Sequence, residues 1–154
     1  MPVRIQREDF DIGVETRAIR DGNPNVGAIA SFVGLVRDMN NGASVVEMTL
    51  EHYPGMAENA LEEITSQAKA RWNVIDTLVI HRYGTLRPMD QIVLVIVAGS
   101  HRADAFNACQ FIMDYLKTNA PFWKKESSAE GSYWVGARES DAIAAERWKP
   151  APGE

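Results

Sequence analysis

Strand-like and helix-like hydrophobic patterns follow one another along these 154 residues in the order strand, helix, strands, helix, strands. That order predicts an α+β domain with helices packed on a mainly antiparallel sheet. Two further observations support it. The stretches 56–72 and 101–117 repeat apolar residues at helical spacing, giving two long packing helices. Short runs rich in Val, Ile and aromatic residues lie between clusters of Gly, Pro, Asn and Asp, as strands between turns do.

Residues 3–6 alternate weakly as a first strand, and Phe10, Val14 and Ala18 recur at helical spacing up to the stop Asp21-Gly22-Asn23-Pro24. The dense aliphatic run 27–36 suits a strand covered on both faces. Asn40-Asn41-Gly42 then offers the positive φ angles of a tight turn, so 45–53 is expected to return antiparallel. From Pro54, the series Met56, Ala60, Ile64, Ala68, Trp72 marks a long amphipathic helix whose other face, Glu58, Glu62, Glu63 and Lys69, is solvated. Strands follow at 75–83 and 91–98; the second is so rich in Val and Ile that it is placed centrally. In the helix 101–117 the buried stripe is Ala105, Ala108, Cys109, Ile112 and Leu116, with Phe106, Gln110, Met113 and Lys117 on its edge. Pro121 ends that helix, 122–127 and 132–135 read as short strands, and 142–148 as a short helical tail. Residues 1–139 are expected to form one domain and 140–154 a C-terminal tail, a short helix or disordered.

Composition narrows the function. A net charge of −5 argues against a general nucleic-acid binder, which needs surplus Lys and Arg to displace counterions, so any anion site is a local basic pocket. The single cysteine, Cys109, allows no intrachain disulfide and sits in the apolar stripe, reading as a buried thiol. With no apolar signal core at the N-terminus and no run of about 20 apolar residues, the expectation is a soluble, cytoplasmic protein that meets no membrane. Only three histidines occur, His52, His81 and His101, without a Cys pair or a His-Glu-x-x-His helix, so no metal site and no cofactor are expected. Gly-x-Ser-x-Gly and phosphate-loop motifs are absent too.

Basic residues instead gather at element ends: Arg37, His81-Arg82, His101-Arg102, and the lysines of Lys117-Thr-Asn-Ala-Pro-Phe-Trp-Lys-Lys-Glu126. A lysine rooted among Met113, Phe122 and Trp123 is a candidate acid or base, because desolvation destabilises its ammonium. Lysines at a helix end also complement the dipole and snorkel over apolar surface, and that reading stays open. His101-Arg102 opens a helix, where free backbone N–H groups already favour an anion. A strand-end histidine such as His81 is as readily a hydrogen-bonded structural residue. If 122–126 is a strand, Lys124 and Lys125 point to opposite faces, and only one shares a pocket with Lys117.

In order and spacing, several of these segments match one family. They are Gly27-Ala-Ile-Ala-Ser-Phe-Val-Gly-Leu-Val-Arg37 with Asn40 and Gly42, Leu50-Glu-His-Tyr53 with Met56-Ala57, and His81-Arg-Tyr-Gly-Thr-Leu86. Ser100-His-Arg-Ala-Asp-Ala-Phe106, Asp114-Tyr-Leu-Lys117, Ala120-Pro-Phe-Trp-Lys-Lys-Glu126 and Gly131 before Trp134 complete the set. Over nearly its whole length the chain resembles the large, catalytic subunits of molybdopterin synthase.

The resemblance implies a hammerhead-like domain that forms a homodimer and carries a small ubiquitin-like sulfur-carrier subunit at each end, a heterotetramer. It implies a sulfurtransferase of molybdenum cofactor biosynthesis. The reaction inserts two sulfurs from the carrier's C-terminal Gly-Gly thiocarboxylate into cyclic pyranopterin monophosphate, forming the dithiolene of molybdopterin. By motif, Lys117 faces the carrier's C-terminal glycine and Lys124 acts as acid or base toward the pterin. Arg37, His101 and Arg102 form the substrate's anion pocket, Arg138 of the partner protomer joins it, and Phe32 and Met113 line it. One local departure is Met89, in Arg87-Pro-Met-Asp90, where relatives commonly have glycine. Two other readings stand beside the enzyme: a noncatalytic module gripping an acidic tail or phosphorylated metabolite, and an interaction protein anchored by Trp72, Trp134 and Trp148.

Overall fold

The computed structural model describes residues 3–40, 43–44, 47–119, 121–128, 131–135 and 148. In chain order the elements are β1 Val3–Gln6, α1 Ile12–Arg20, β2 Ala28–Leu35, β3 Met39–Asn40, β4 Ala43–Ser44, β5 Glu47–His52, α2 Met56–Arg71, β6 Val74–Arg82, β7 Gly84–Leu86, β8 Gln91–Gly99, α3 Arg102–Asn119, β9 Phe122–Ser128 and β10 Gly131–Val135. The strands form one sheet in the order β1-β6-β8-β2, a second in the order β10-β9-β5-β7, and a small β3-β4 hairpin. Among the described residues only β1 with β6 is parallel; the other pairs are antiparallel.

The first sheet is organised by β8, which lies between β6 and β2 as its aliphatic run requires. Strand period 2 sends Val93, Val95 and Val97 into a core with Ala105, Ala108, Phe111, Ile112 and Leu116 of α3 and with Leu61, Ile64 and Ala68 of α2. The alternate residues Leu94, Ile96 and Ala98 face the other way, onto Ile19 of α1 with Leu78 and Ile80. Both faces of β8 are therefore covered. A third, smaller core of Val36, Met48, Leu50 and Leu86 underlies the second sheet.

Four expectations shift. In α1 the buried residue is Ile19 while Val14 is half exposed, so the inward stripe lies one position from the one read off Phe10, Val14 and Ala18. Along α2 the buried line is Ala57, Leu61, Ile64, Thr65 and Ala68, and Met56 is 60% exposed. Strand β2 carries packed residues on both faces, Ala28 and Ala30 toward α3 and Ile29 and Val33 toward the Ile19 cluster, but as an edge strand its cover is incomplete, with Phe32 40% and Leu35 51% exposed. The expected antiparallel return is limited to the pairing of β3 with β4; β5 pairs instead with β7 and β9 in the second sheet.

Trp72 is half buried against Phe111, centroids 5.3 Å apart, and Trp148 packs edge-on against both. The Arg71 guanidinium donates to the Trp148 carbonyl at 2.8 Å, and the Trp148 indole N–H donates to Asp114 at 2.5 Å. Trp72 and Trp148 are thus engaged within the chain, which removes them as free interface anchors. Of the helix expected over 142–148, residues 142–147 lie outside the described residues.

Candidate active site

The basic residues at the end of α3 are placed by a corner. Helix α3 stops at Asn119, Pro121 cannot continue it, and β9 begins at once with Phe122. There β9 pairs antiparallel with β5, so that Phe122 lies opposite His52 and Lys124 opposite Leu50. Leu50 is buried in the small core, and a cross-strand partner shares its face, so Lys124 is aimed inward with Phe122. Lys125 takes the next register position, opposite Thr49. Trp123, on the alternate face, meets the exposed Tyr53 with ring centroids 4.7 Å apart.

Phe122 stacks on His81 at 3.9 Å with the planes only 14° apart. His52 lies 6.0 Å beyond Phe122, and Tyr83 4.6 Å from His52. These four rings make a column that ties the second sheet to the end of β6 in the first. Arg7 caps the column, its guanidinium 4.8 Å from the Tyr83 centroid. Lys117 and Lys124 both act electrostatically on the His81 imidazole.

His81 itself is 5% exposed. Its Nδ1 lies 2.8 Å from the Arg82 carbonyl oxygen, and because a carbonyl only accepts, Nδ1 carries the proton and Nε2 the lone pair. Burial pushes the imidazole down from 6.5 to about 4; the Arg82 carbonyl opposes this, and Lys117, His52 and Lys124 add to it. The ring is neutral at physiological pH. Its open alternative, a hydrogen-bonded structural histidine, accounts for the bond to Arg82 but leaves out the ring's neighbours. The sequence reading missed this column because His52, His81 and Phe122 lie in three strands whose pairing no local pattern records.

The other expected site residues divide between the two ends of the first sheet. Arg37 is exposed just past β2, beside the point where the Val36 N–H donates to the Asp90 carbonyl at 2.9 Å. This is the Gln91 end of β8, where Leu35 pairs with Gln91 and His81 with Val93. His101 and Arg102 are exposed beyond Gly99, at the start of α3, about 23 Å from Lys117 along the helix axis. One chain therefore brings together Lys117, Lys124 and His81, with Arg37 at the same end, but not His101 or Arg102. Phe32 sits midway along β2 opposite Val95, on the face that α3 covers. Met113 is only 7% exposed and belongs to the main core. Arg138 lies outside the described residues. Lys117 is exposed in the single chain, so the desolvation argued for it from Met113, Phe122 and Trp123 does not operate there.

Burial raises the Cys109 thiol to about 11, which keeps it protonated and unsuited to carry sulfur. No three His, Cys, Asp or Glu side chains converge as metal ligands among the described residues. No helix among them is long and apolar enough to cross a membrane.

Fold and site together define an α+β domain in which two lysines flank a corner packed on a buried histidine where two sheets adjoin. Residues 5–119 match the family model described as MoaE protein, and the chain belongs to that family. It is 60% identical over 146 residues to the molybdopterin synthase catalytic subunit of Ralstonia nicotianae, covering 95% of this chain and 83% of that one. Among solved structures it matches the molybdopterin biosynthesis MoaE protein of Burkholderia ambifaria MC40-6 at 54% identity, with 95% and 96% of the two chains covered and a TM-score of 0.82. It also matches molybdopterin synthase from Staphylococcus aureus at 31% identity, with 88% and 98% covered and a TM-score of 0.81.

Proposed function

We propose that this chain is the catalytic subunit of a cytoplasmic molybdopterin synthase. It converts cyclic pyranopterin monophosphate to molybdopterin with sulfur from the C-terminal thiocarboxylate of a small ubiquitin-like carrier. The observation that carries this reading is the pair Lys117 and Lys124 on either side of a corner built by Pro121 and by Phe122 stacked on buried His81, in a chain of the MoaE family.

The electrostatics fit the chemistry. Cyclic phosphate and thiocarboxylate are both anions and repel each other in water, whereas fixed ammonium groups offset that repulsion and stabilise charge as it develops. Lys117, at the exposed rim, receives the carrier's C-terminal glycine and stabilises charge on its acyl group. Lys124, inward and beside the aromatic column, exchanges protons with the pterin. With Cys109 protonated and buried, the sulfur passes directly from the carrier to the pterin.

Arg37, His101, Arg102 and Arg138 supply the anion pocket, lined by Phe32 and Met113. Because His101 and Arg102 stand about 23 Å from Lys117 in one chain, they serve this pocket from the partner protomer of a homodimer. Each homodimer then carries two sites and two carriers. Incubation with thiocarboxylated carrier and cyclic pyranopterin monophosphate tests the reading: dithiolene formation supports it, and binding of both without product would instead make the chain an anion-binding module.

A further inference from the structure

His81 is the feature that the reading above leaves without a task. It occupies a rigid place: Val93 of β8 pairs with it on one side and Ile5 of β1 on the other. Strand period 2 puts its ring on the face of Val79, in the core beneath α2 and α3. The chain leaving α3 then lays Phe122 flat on that ring at 3.9 Å. Phe122 is five residues beyond Lys117 and two before Lys124, so the stack fixes the corner from which both lysines project.

We propose that His81 is a positioning residue for sulfur transfer: held in one tautomer by the Arg82 carbonyl and stacked on Phe122, it sets the approach of Lys124 to Lys117. Phenylalanine at this place would stack equally well, but it would lack the Nδ1–H bond that fixes the ring's rotation about its axis. Imidazolium would add a third cation to a region where Lys117 and Lys124 already oppose its protonation, and the low basicity of the buried ring prevents this. Neutrality and fixed orientation together are what histidine supplies at position 81. His52 reinforces the arrangement from the far side of Phe122, its ring 6.0 Å away and 30° from parallel.

This inference rests on the assignment of Lys117 and Lys124, and the test separates the two. Dithiolene formation is measured with carrier and substrate for His81→Phe, which keeps the stack and loses the hydrogen bond, and for His81→Gln, which keeps a donor and loses the ring. Phe122→Leu probes the stack from its other side and carries the test if neither His81 variant folds. Each is made alone and combined with Lys124→Ala, and folding is checked by cooperative urea unfolding. The expected result is a loss of about tenfold in kcat with KM and carrier affinity little changed, the mark of a displaced catalytic group. In the Lys124→Ala background the same substitution is expected to change the residual rate less than about twofold, because the group it positions is gone. A folded variant at parental kcat, or an equal loss in both backgrounds, overturns the proposal. Full activity of Lys124→Ala alone would instead overturn the site assignment beneath it.

Discussion

At its C-terminal end, α3 hands the chain to a corner in which Phe122 stacks on buried His81 between Lys117 and Lys124 in sequence, and His52 and Tyr83 extend the ring contacts. At its N-terminal end, His101 and Arg102 stand exposed, next to a Phe106 that is 66% exposed. The first end is assembled by contacts within the chain. The second presents charge and apolar surface outward, where a second protein surface can cover them. The difference teaches that a basic cluster read from one sequence need not be one cluster in one chain: the length of α3 separates the two groups by about 23 Å.

The sharpest way to break this comparison is Lys117→Ala, which is expected to lower dithiolene formation by at least about 1,000-fold while the carrier still binds. Pull-down of the carrier and turnover, measured on the same preparation, check this; normal turnover would remove the C-terminal end from the chemistry.

The buried imidazole gives that end a distinct acid response. His81 has its pKa lowered to about 4 from 6.5, so its contribution to stability is whole above pH 6.5 and is lost as pH falls toward 4. The loss amounts to about 3 kcal/mol. Lys117, Lys124 and His52 face the ring and oppose its protonation. Asp9, held below its ordinary 3.8 by Gln91, titrates beneath this window. Urea unfolding between pH 7 and 4 is expected to show a shallower decline in His81→Phe than in the parent, and parallel curves would contradict the burial argument.

Lys124→Ala is expected to reduce turnover about 100-fold, and Lys125→Ala only a few-fold, since β9 register sets Lys124 opposite the buried Leu50. Equal rates for the two variants would count against the inward assignment.

The smallest effect lies away from both ends, in the turn before β8. Met89 has φ 77° and is 85% exposed, a left-handed residue where glycine would rest without strain. Met89→Gly is expected to stabilise the protein by about 0.5 kcal/mol with activity unchanged, as read by urea unfolding. Destabilisation would show that the methionine side chain makes a compensating contact.

Much of the first sheet was legible because its residues report their own burial. The aliphatic run of β8 demanded a central position, and the α3 stripe Ala105, Ala108, Cys109, Ile112, Leu116 is buried throughout. Phe111, absent from that stripe, is also fully buried, because Trp72, just past the end of α2, packs on it there. Period 2 likewise anticipated the separate register positions of Lys124 and Lys125. What stayed hidden depends on partners distant in sequence. β5 pairs with β9 some 75 positions on, bringing His52 to Phe122, and no local pattern marks that pairing. An edge strand such as β2 looks as apolar as a covered one, because composition does not say which neighbours arrive. His81 is ambiguous for the same reason, a polar residue in an apolar strand whose meaning comes from the two lysines beside it.

The account stands or falls on whether the two ends of α3 meet across protomers. Lys117→Ala and Arg102→Ala chains, carrying different tags, are co-expressed with the carrier, and the mixed dimers are purified through both tags and assayed. Each homodimeric variant is expected to be nearly inactive, while a mixed dimer holds one intact site of two and regains about half the parental rate. Activity no higher than that of the two variants alone would contradict the account.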